Sequence, residues 1–211
     1  MEGKKLKVLM LNGSPRANGN IALAFREMED VFSELGVEYE NILLGKTDIR
    51  GCAACESCRK LGKCVFSDTV NELAVKFEAA DGLVIGSPVY YGSANGTLLS
   101  ALQRLFYSSH FDKSLKVGAA VVSARRSGCT AAFDELNRFF TLSSMPVATS
   151  RYWNNIYGWD PGEGAVDAEG RQVMRVLARN MVFLMQSIAL GKENLGLPKA
   201  EEPRVWTNFT R

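Results

Sequence analysis

Histidine is nearly absent from this chain of 211 residues, in which His110 is the only one. The sequence around it shows no acid–serine arrangement of the kind that a catalytic triad requires. It therefore gives no support for a hydrolase. We expect His110 to cap a turn rather than to take part in catalysis.

An excess of charge of either sign is also missing. The 25 lysines and arginines oppose 23 acidic residues and leave a net charge of +2. Basic and acidic residues are intermixed, so no continuous field attracts nucleic acid or an anionic membrane. The sequence therefore predicts small molecules or other proteins as partners, with no nucleic acid and no membrane.

The N-terminal region lacks a long apolar run. The first such run starts after Lys7 and stops at Asn12-Gly13, which is too short for a signal sequence or a membrane span. We therefore predict a cytoplasmic protein. In that reducing compartment, clustered cysteines favour a metal site or reactive thiols over disulfides.

Four of the five cysteines lie in one short segment with the spacing C-x2-C-x2-C-x5-C. Three thiols two residues apart can converge on one face of an iron–sulfur cluster, and a fourth can close the cage. Zinc and free thiols are the alternatives, although structural zinc sites usually pair two C-x2-C units across a longer spacer. The predicted metal ligands are Cys52, Cys55, Cys58 and Cys64.

Apolar runs alternate with amphipathic stretches along the chain, which predicts one α/β domain over residues 1–211. The predicted strands are 7–12, 37–44, 82–86, 116–122 and 145–150, and the predicted helices lie near 21–35, 70–77, 96–106, 130–142 and 168–189. Strands without polar alternation are buried on both faces. We therefore predict a doubly wound, five-stranded parallel sheet with helices on both faces and a ligand at the carboxyl ends of its strands. A cysteine-rich loop (51–66) is inserted, and a loop and helix (151–190) complete the chain.

The loop after the first strand, residues 12–20, is suited to binding an anion. The first N–H groups of a helix lack internal partners, so they can bind a phosphate, to which Ser14 can add a hydroxyl and Arg16 a charge. The alternative is that Ser14 and Asn20 only turn and cap the chain. The loop has neither the dinucleotide-binding G-x-G-x-x-G pattern nor a P-loop, which argues against a tightly held NAD or ATP.

Two further loops follow predicted strands. Tyr90 and Tyr91 could cover a flat heterocycle, and backbone N–H groups nearby could meet the pyrimidine edge of a flavin. The alternative is that both tyrosines pack as lids on the core. After the fourth strand, Arg125 and Arg126 could face a cofactor, a nicotinamide nucleotide or solvent.

Taken together, these stretches resemble the flavodoxin-like NAD(P)H-dependent FMN reductase superfamily and, within it, the iron–sulfur flavoproteins. The matching stretches are Gly13-Ser14-Pro15-Arg16 with Gly19-Asn20, the four cysteines followed by Asp68, Ala80-Asp81-Gly82, and 86–93. The resemblance implies a flavodoxin-like fold that binds FMN, with the phosphate near the first loop, the flavin near the second, and a homodimer or homotetramer. The predicted cofactor-binding residues are Ser14, Arg16, Asn18, Asn20, Ile21, Pro88, Val89, Tyr90, Tyr91, Gly92, Ser93, Ser123 and Arg125.

The chain departs from the superfamily pattern at two points. Ile21 stands where threonine or serine is usual, which removes one hydroxyl donor to the phosphate. Ser67-Asp68-Thr69 replaces a frequent pair of aspartates and a methionine, and we expect Thr69 to cap the next helix beside Asp68.

The predicted function is FMN-dependent oxidoreduction. NAD(P)H, as a transient co-substrate, or a reduced protein donor would supply electrons for a quinone, nitro compound, flavin or protein acceptor, with a [4Fe-4S] cluster as a second cofactor if the cysteines hold one. The flavin carries the chemistry, so we predict no catalytic residue. The alternatives are a non-enzymatic flavin or iron–sulfur electron carrier, a redox sensor, and an α/β scaffold that binds zinc. The aromatic residues of 150–170 are predicted to cover the flavin or to pack in a subunit contact.

Overall fold

The computed structural model describes residues 5–198 and positions 202, 203, 205 and 207. Its sheet has five strands: β1 (Lys7–Asn12), β2 (Glu38–Leu43), β3 (Gly82–Pro88), β4 (Val117–Ala124) and β5 (Asn155–Tyr157). Their order is β2-β1-β3-β4-β5, and all neighbouring strands are parallel. The predicted doubly wound parallel sheet is confirmed. The predicted domain limits at residues 1 and 211 lie outside the described residues.

Helices cover both faces of this sheet. They are α1 (Asn20–Glu34), α2 (Cys58–Leu61), α3 (Thr69–Ala79), α4 (Gly96–Ser108), α5 (Cys129–Leu142) and α6 (Ala168–Leu195), with a 3₁₀ turn at Glu163–Val166. Helices α1 and α6 share one apolar cluster, and α3, α4 and α5 share the other. The short helix α2, inside the cysteine-rich loop, was not predicted.

Strand β1 shows why the sheet must be covered twice. Val8 and Met10 belong to the cluster of α1 and α6, while Leu9 and Leu11 belong to the opposite cluster. All four side chains are fully buried. Because successive side chains point to opposite faces of a strand, a continuous apolar run requires helices on both sides.

The predicted fifth strand at 145–150 is wrong. That segment forms a single bridge to the start of β4, in which Gly118 N donates to the Pro146 carbonyl oxygen at 2.8 Å. The chain then leaves the sheet, and the Asn154 side chain donates to the Ala120 carbonyl oxygen at 3.0 Å. The strand resumes as β5, beside the end of β4. This detour places the residues after β5 at the carboxyl edge of the sheet.

The start of α3 also differs from the prediction. Asp68, rather than Thr69, is the N-cap, and its carboxylate accepts a hydrogen bond of 3.1 Å from Val70 N. Thr69 is the first residue of the helix. An aspartate at this position supplies both the capping oxygen and a charge that favours the positive end of the helix.

Helix α6 is long and apolar enough, by length and composition alone, to cross a membrane. Val173, Leu177 and Met181 on this helix are buried against α1 and the sheet. The core helices of soluble proteins satisfy the same criteria, so the feature is weak evidence for a membrane span.

Candidate functional site

A cleft of about 410 Å³ opens at the carboxyl ends of β1, β3 and β4. Its size falls within the range of roughly 300–1,000 Å³ that is usual for small-molecule sites. Its walls are formed by Ser14, Arg16, Gly19, Asn20, Ile21, Pro88, Val89, Tyr90, Ser123, Ala124, Arg125, Arg126, Ser127, Gly158 and Trp159. The position matches the ligand site that the doubly wound topology predicts.

The first wall is the loop that leads from β1 into α1. Asn12 Oδ1 accepts from Ser14 N at 2.9 Å, and Ser14 Oγ accepts from Arg16 N at 3.1 Å, so the loop is held by its own polar side chains. Gly19 is the N-cap of α1, and no side chain caps the helix. The first N–H groups of α1 are therefore open to a ligand, and the helix dipole favours an anion there.

Two predicted phosphate ligands also contact the chain beyond β5. The Arg16 guanidinium donates to the Trp159 carbonyl oxygen at 2.8 Å, and Asn20 Oδ1 accepts from Gly164 N at 3.0 Å. A Cβ added to Gly158 would lie only 2.6 Å from Asn20 Nδ2. The first loop and the segment after β5 are therefore closely packed beside the cleft.

The second wall is the turn after β3. Tyr90 and Ser93 exchange backbone hydrogen bonds of 2.9 and 3.0 Å around Tyr91 and Gly92, both of which have positive φ, as in a type I′ turn. The Ser93 hydroxyl donates to Glu135 Oε2 at 2.8 Å, which fixes the turn to α5.

This turn brings only part of the predicted set to the cleft. Pro88, Val89 and Tyr90 line it. Asn18, Tyr91, Gly92 and Ser93 are outside its walls, and Tyr91 is fully exposed. A binding role for these four residues stays a prediction.

The third wall joins the end of β4 to the residues that follow β5. Gly158 N donates to the Ala124 carbonyl oxygen at 3.1 Å, and the Arg125 guanidinium lies 5.4 Å from the centre of the Trp159 ring. Sequence reasoning named the loop after β4 and gave the aromatic residues of 150–170 as a possible cover for the flavin, but it did not include Gly158 or Trp159 among the cofactor-binding residues. The available signal was the Gly-Trp-Asp-Pro stretch within the long aromatic segment, which the misplaced fifth strand left without a position.

A second, more open hollow of about 800 Å³ adjoins the cleft. The two share Arg125, Gly158 and Trp159, and the hollow is completed by Tyr157, Glu163, Val166 and Asp167. Glu163 accepts hydrogen bonds from Trp159 N and Asp160 N at 2.7 and 3.0 Å, and these bonds lower the pKa of its carboxyl. These bonds therefore anchor the segment around Trp159, which borders both the cleft and the hollow.

The four clustered cysteines surround one small hollow of about 20 Å³ beside α4. Cys52 and Cys55 are exposed, Cys58 is buried, Cys64 is partly buried, and all are free thiols. A donor set of four thiols is the one that cubane iron–sulfur clusters use, so the residue types fit such a cluster. Among the described residues, no three His, Cys, Asp or Glu side chains are already close enough to hold a metal ion.

Arg104 forms one side of this hollow and was not predicted from the sequence. Its guanidinium makes two bonds to Asp68, of 2.7 and 2.8 Å, and its Nε and one terminal nitrogen each lie 3.3 Å from Cys64 Sγ. Burial by itself raises the pKa of Asp68, but hydrogen bonds from Arg104 and Val70 N outweigh it and hold that pKa below its usual value.

The fifth cysteine, Cys129, lies apart at the start of α5. It is buried, as is usual for an isolated cysteine, and burial raises the pKa of its thiol to about 11, although a hydrogen bond with Tyr157 acts in the opposite direction. The thiol is therefore protonated at neutral pH.

Comparison with known proteins agrees with this geometry. A family model described as NADPH-dependent FMN reductase matches residues 6–160. An iron–sulfur flavoprotein of Methanocaldococcus jannaschii is 32% identical over 191 residues, which cover 87% of this chain and 99% of that relative.

Solved structures show the same fold. The structure of RosB with bound 8-demethyl-8-formylriboflavin-5'-phosphate has a TM-score of 0.69 at 15% identity and covers 98% of this chain and 92% of its own. A flavodoxin of Streptococcus pneumoniae has a TM-score of 0.56 at 13% identity over 84% of this chain and 98% of its own. With its flavodoxin-like sheet and the matched family model, the chain belongs to the NADPH-dependent FMN reductase family of FMN-binding oxidoreductases.

Proposed function

We propose that this protein is an FMN-dependent electron-transfer enzyme. It takes electrons from NAD(P)H or a reduced protein donor and passes them to a quinone, nitro compound, flavin or protein acceptor. The observation that carries the proposal is the cleft at the carboxyl edge of the sheet, which faces the uncapped N-terminus of α1. FMN combines a phosphate, which suits that helix end, with a flat ring system that suits the rest of the cleft.

The chain's own residues would hold FMN at its two ends. The N–H groups at the start of α1 would bind the phosphate, and Arg16 would neutralise part of its charge. Tyr90 and Trp159 both line the cleft and would exclude water from the ring. When bound, FMN supplies hydride and single-electron chemistry, so the protein needs no general acid or base for those steps.

The hollow beside the cleft would give a second reactant a place to bind. It shares Arg125 and Trp159 with the cleft and opens to solvent. A nicotinamide or an acceptor could therefore approach the flavin without displacing it. Arg125 would bind the phosphates of a nicotinamide nucleotide as a charge-assisted donor.

The four cysteines would form the second redox centre, a [4Fe-4S] cluster. They surround one hollow, and the relative from Methanocaldococcus jannaschii is named an iron–sulfur flavoprotein. Cys52 and Cys55 lie on an exposed loop and would have to move inward, whereas Cys58 and Cys64 are already partly or fully buried. The cluster residues and the cleft residues do not overlap.

Anaerobic purification followed by flavin, iron and sulfide analysis tests both cofactors. We expect about one FMN and a set of four irons with acid-labile sulfide for each chain. Cys58 and Cys129 are equally buried, at 8% exposure, so Cys58→Ser and Cys129→Ser form a matched pair. Cys58→Ser should lose iron and keep FMN, and Cys129→Ser should keep both. Absence of bound flavin after reconstitution with excess FMN would overturn the proposal.

Steady-state oxidation of NADH and NADPH tests the enzymatic part. Loaded protein should oxidise at least one nucleotide when a quinone, a nitro compound or free flavin is supplied. If a reduced protein donor reduces the flavin and neither NADH nor NADPH does, the protein donor is the source of electrons. If no donor produces turnover, the protein is a carrier or a sensor rather than an enzyme.

We further propose a homodimer or homotetramer. Tyr152 and Trp153 are more than half exposed and contact each other, with ring centres 5.4 Å apart. An exposed aromatic pair of this kind is typical of a protein interface. Light scattering of the FMN-loaded protein measures the mass directly, and a monomer at micromolar concentration would overturn this part.

A further inference from the structure

Arg104 is the most completely buried cation beside the cysteine hollow, with a side-chain exposure of 1%. Its guanidinium donates in three directions, to Cys64 Sγ, to the Asp68 carboxylate and to the Arg50 carbonyl oxygen. Leaving an arginine buried without partners is costly, so these contacts fix its position.

Hydrogen bonds hold both the backbone and the sulfur of Cys64, one of the four clustered cysteines. Its backbone N–H donates to Asn71 Oδ1 at 3.0 Å, and Asn71 Nδ2 donates back to its carbonyl oxygen at 3.0 Å. Two N–H groups of Arg104 lie 3.3 Å from its sulfur. Its main chain and its thiol are therefore both held before any metal binds.

We propose that Arg104 is a positioning residue that presents Cys64 to the iron–sulfur cluster and raises the reduction potential of that cluster. This inference rests on the proposed function of the four cysteines. One-electron reduction adds one negative charge to a cluster, and N–H donors to its ligand sulfur stabilise that charge. The Asp68 carboxylate accepts two further hydrogen bonds from Arg104 and balances its charge, so the pair brings directed N–H groups to the sulfur without adding net charge.

Because the Arg104–Asp68 pair is neutral, loss of the charge of either member should shift the potential of the cluster in a defined direction. Arg104→Met leaves Asp68 as an extra negative charge, so the potential should fall. Asp68→Asn leaves the arginine charge uncompensated, so the potential should rise, and asparagine can still cap α3. The double variant Arg104→Met with Asp68→Asn restores neutrality but lacks the N–H groups, so its potential should lie below that of the unaltered protein.

Arg50→Met is the matched control. The Arg50 guanidinium lies 4.6 Å from the centre of the Phe66 ring, and that of Arg104 lies 5.1 Å from it, so both cations share one neighbourhood. Of these two guanidinium groups, that of Arg104 donates to the Cys64 sulfur, whereas no such bond is found for Arg50 among the described contacts. Arg50→Met should therefore change the potential less than the neutral double variant does.

The measurements are the midpoint potential of the reconstituted cluster, its electron paramagnetic resonance spectrum when reduced, and the iron and FMN content of each variant. FMN content reports folding, because the cleft is elsewhere in the molecule. Opposite shifts in the two single variants and a lower potential in the double variant support the proposal. Loss of iron confined to the Arg104 variants, with FMN retained, supports the positioning part.

Two results would overturn it, and they have different meanings. Iron bound normally in the double variant, with an unchanged potential and spectrum, would remove the role of Arg104 and leave the proposed function intact. An unaltered protein that binds FMN but never retains iron and sulfide would remove the cluster itself, and the inference about Arg104 with it.

Discussion

The Arg16 guanidinium donates a hydrogen bond of 2.8 Å to the Trp159 carbonyl oxygen, although the two residues are 143 positions apart. Together with the bond from Gly164 N to Asn20, it fastens the segment after β5 to the first loop of the cleft. The side chains that sequence reasoning assigned to the phosphate therefore also hold the segment after β5 in place. Under the proposed FMN site, ligand binding and the position of Trp159 would be coupled through them.

Arg16→Met should weaken FMN binding by about tenfold, because one charge-assisted hydrogen bond contributes on the order of 1.5–3 kcal/mol and the exposure of Arg16 to solvent places its effect at the low end of that range. Quenching of flavin fluorescence during titration measures the dissociation constant. Arg26→Met on the exposed side of α1 removes the same charge and serves as the control. Equal affinities for the two variants would contradict a role for Arg16 at the phosphate.

Ile21→Thr should strengthen FMN binding about threefold to fivefold, since a new hydroxyl at the cleft can add one hydrogen bond of about 1 kcal/mol. The same change should lower the free energy of unfolding by about 1–3 kcal/mol, because Ile21 is 1% exposed within the α1 and α6 cluster. Ile21→Val loses volume without gaining a donor and should leave the affinity unchanged. Tighter binding by the valine variant as well would show that the hydroxyl is not the cause.

Much of this site was accessible to sequence reasoning because it depends on local features. The loops after β1, β3 and β4 are each adjacent to an apolar run that marks a strand, and the topology then brings those loops together. Ser14, Pro88 and Arg125 were assigned in this way, and all three line the cleft. The cysteine cluster was equally visible, because its four members lie in one short segment.

The parts that sequence reasoning missed depend on contacts between distant segments. β5 has only three residues, which is too short for a readable pattern, while the more apolar 145–150 segment makes a single bridge. Arg104 looks like an ordinary helix residue until Asp68, 36 positions earlier, is placed beside it. Burial of a charge next to a cysteine is a property of packing, and no spacing rule reveals it.

Cys129 should react with iodoacetamide much more slowly than Cys52 in cluster-free protein at pH 8. With a pKa of about 11, its thiol is deprotonated in about one molecule in a thousand at that pH, and its side chain is buried. Cys52 is exposed on the loop. Peptide mass spectrometry after timed alkylation gives both rates. Tyr157→Phe removes the hydrogen-bond partner of Cys129 and should not make Cys129 react faster, so faster labelling in that variant would contradict this account of its protection.

Protonation of Glu27 should make the protein less stable in acid. Burial by itself raises the pKa of its carboxyl, but hydrogen bonds from Arg171 and Arg175 on α6 outweigh it and hold the pKa below the usual 4.5. The unfolded chain therefore binds this proton more readily than the folded one. The contribution of Glu27 to stability is fully present above pH 4.5 and is lost as the pH falls through the lower folded-state pKa.

Glu27→Gln should therefore lower the free energy of unfolding at pH 7 by about 2 kcal/mol and flatten its dependence on pH below 4.5. Urea denaturation of the FMN-free protein across pH 3–7 measures both effects. Glu34→Gln is the matched control, because Glu34 also pairs with an arginine of α6 but is 58% exposed, and it should change stability by less than about 0.5 kcal/mol. The packing of α1 against α6 accounts for the difference: Glu27 is 10% exposed between the two helices, where its charge must be paired. A steep acid-side slope that persists in Glu27→Gln would assign the acid sensitivity to other carboxylates.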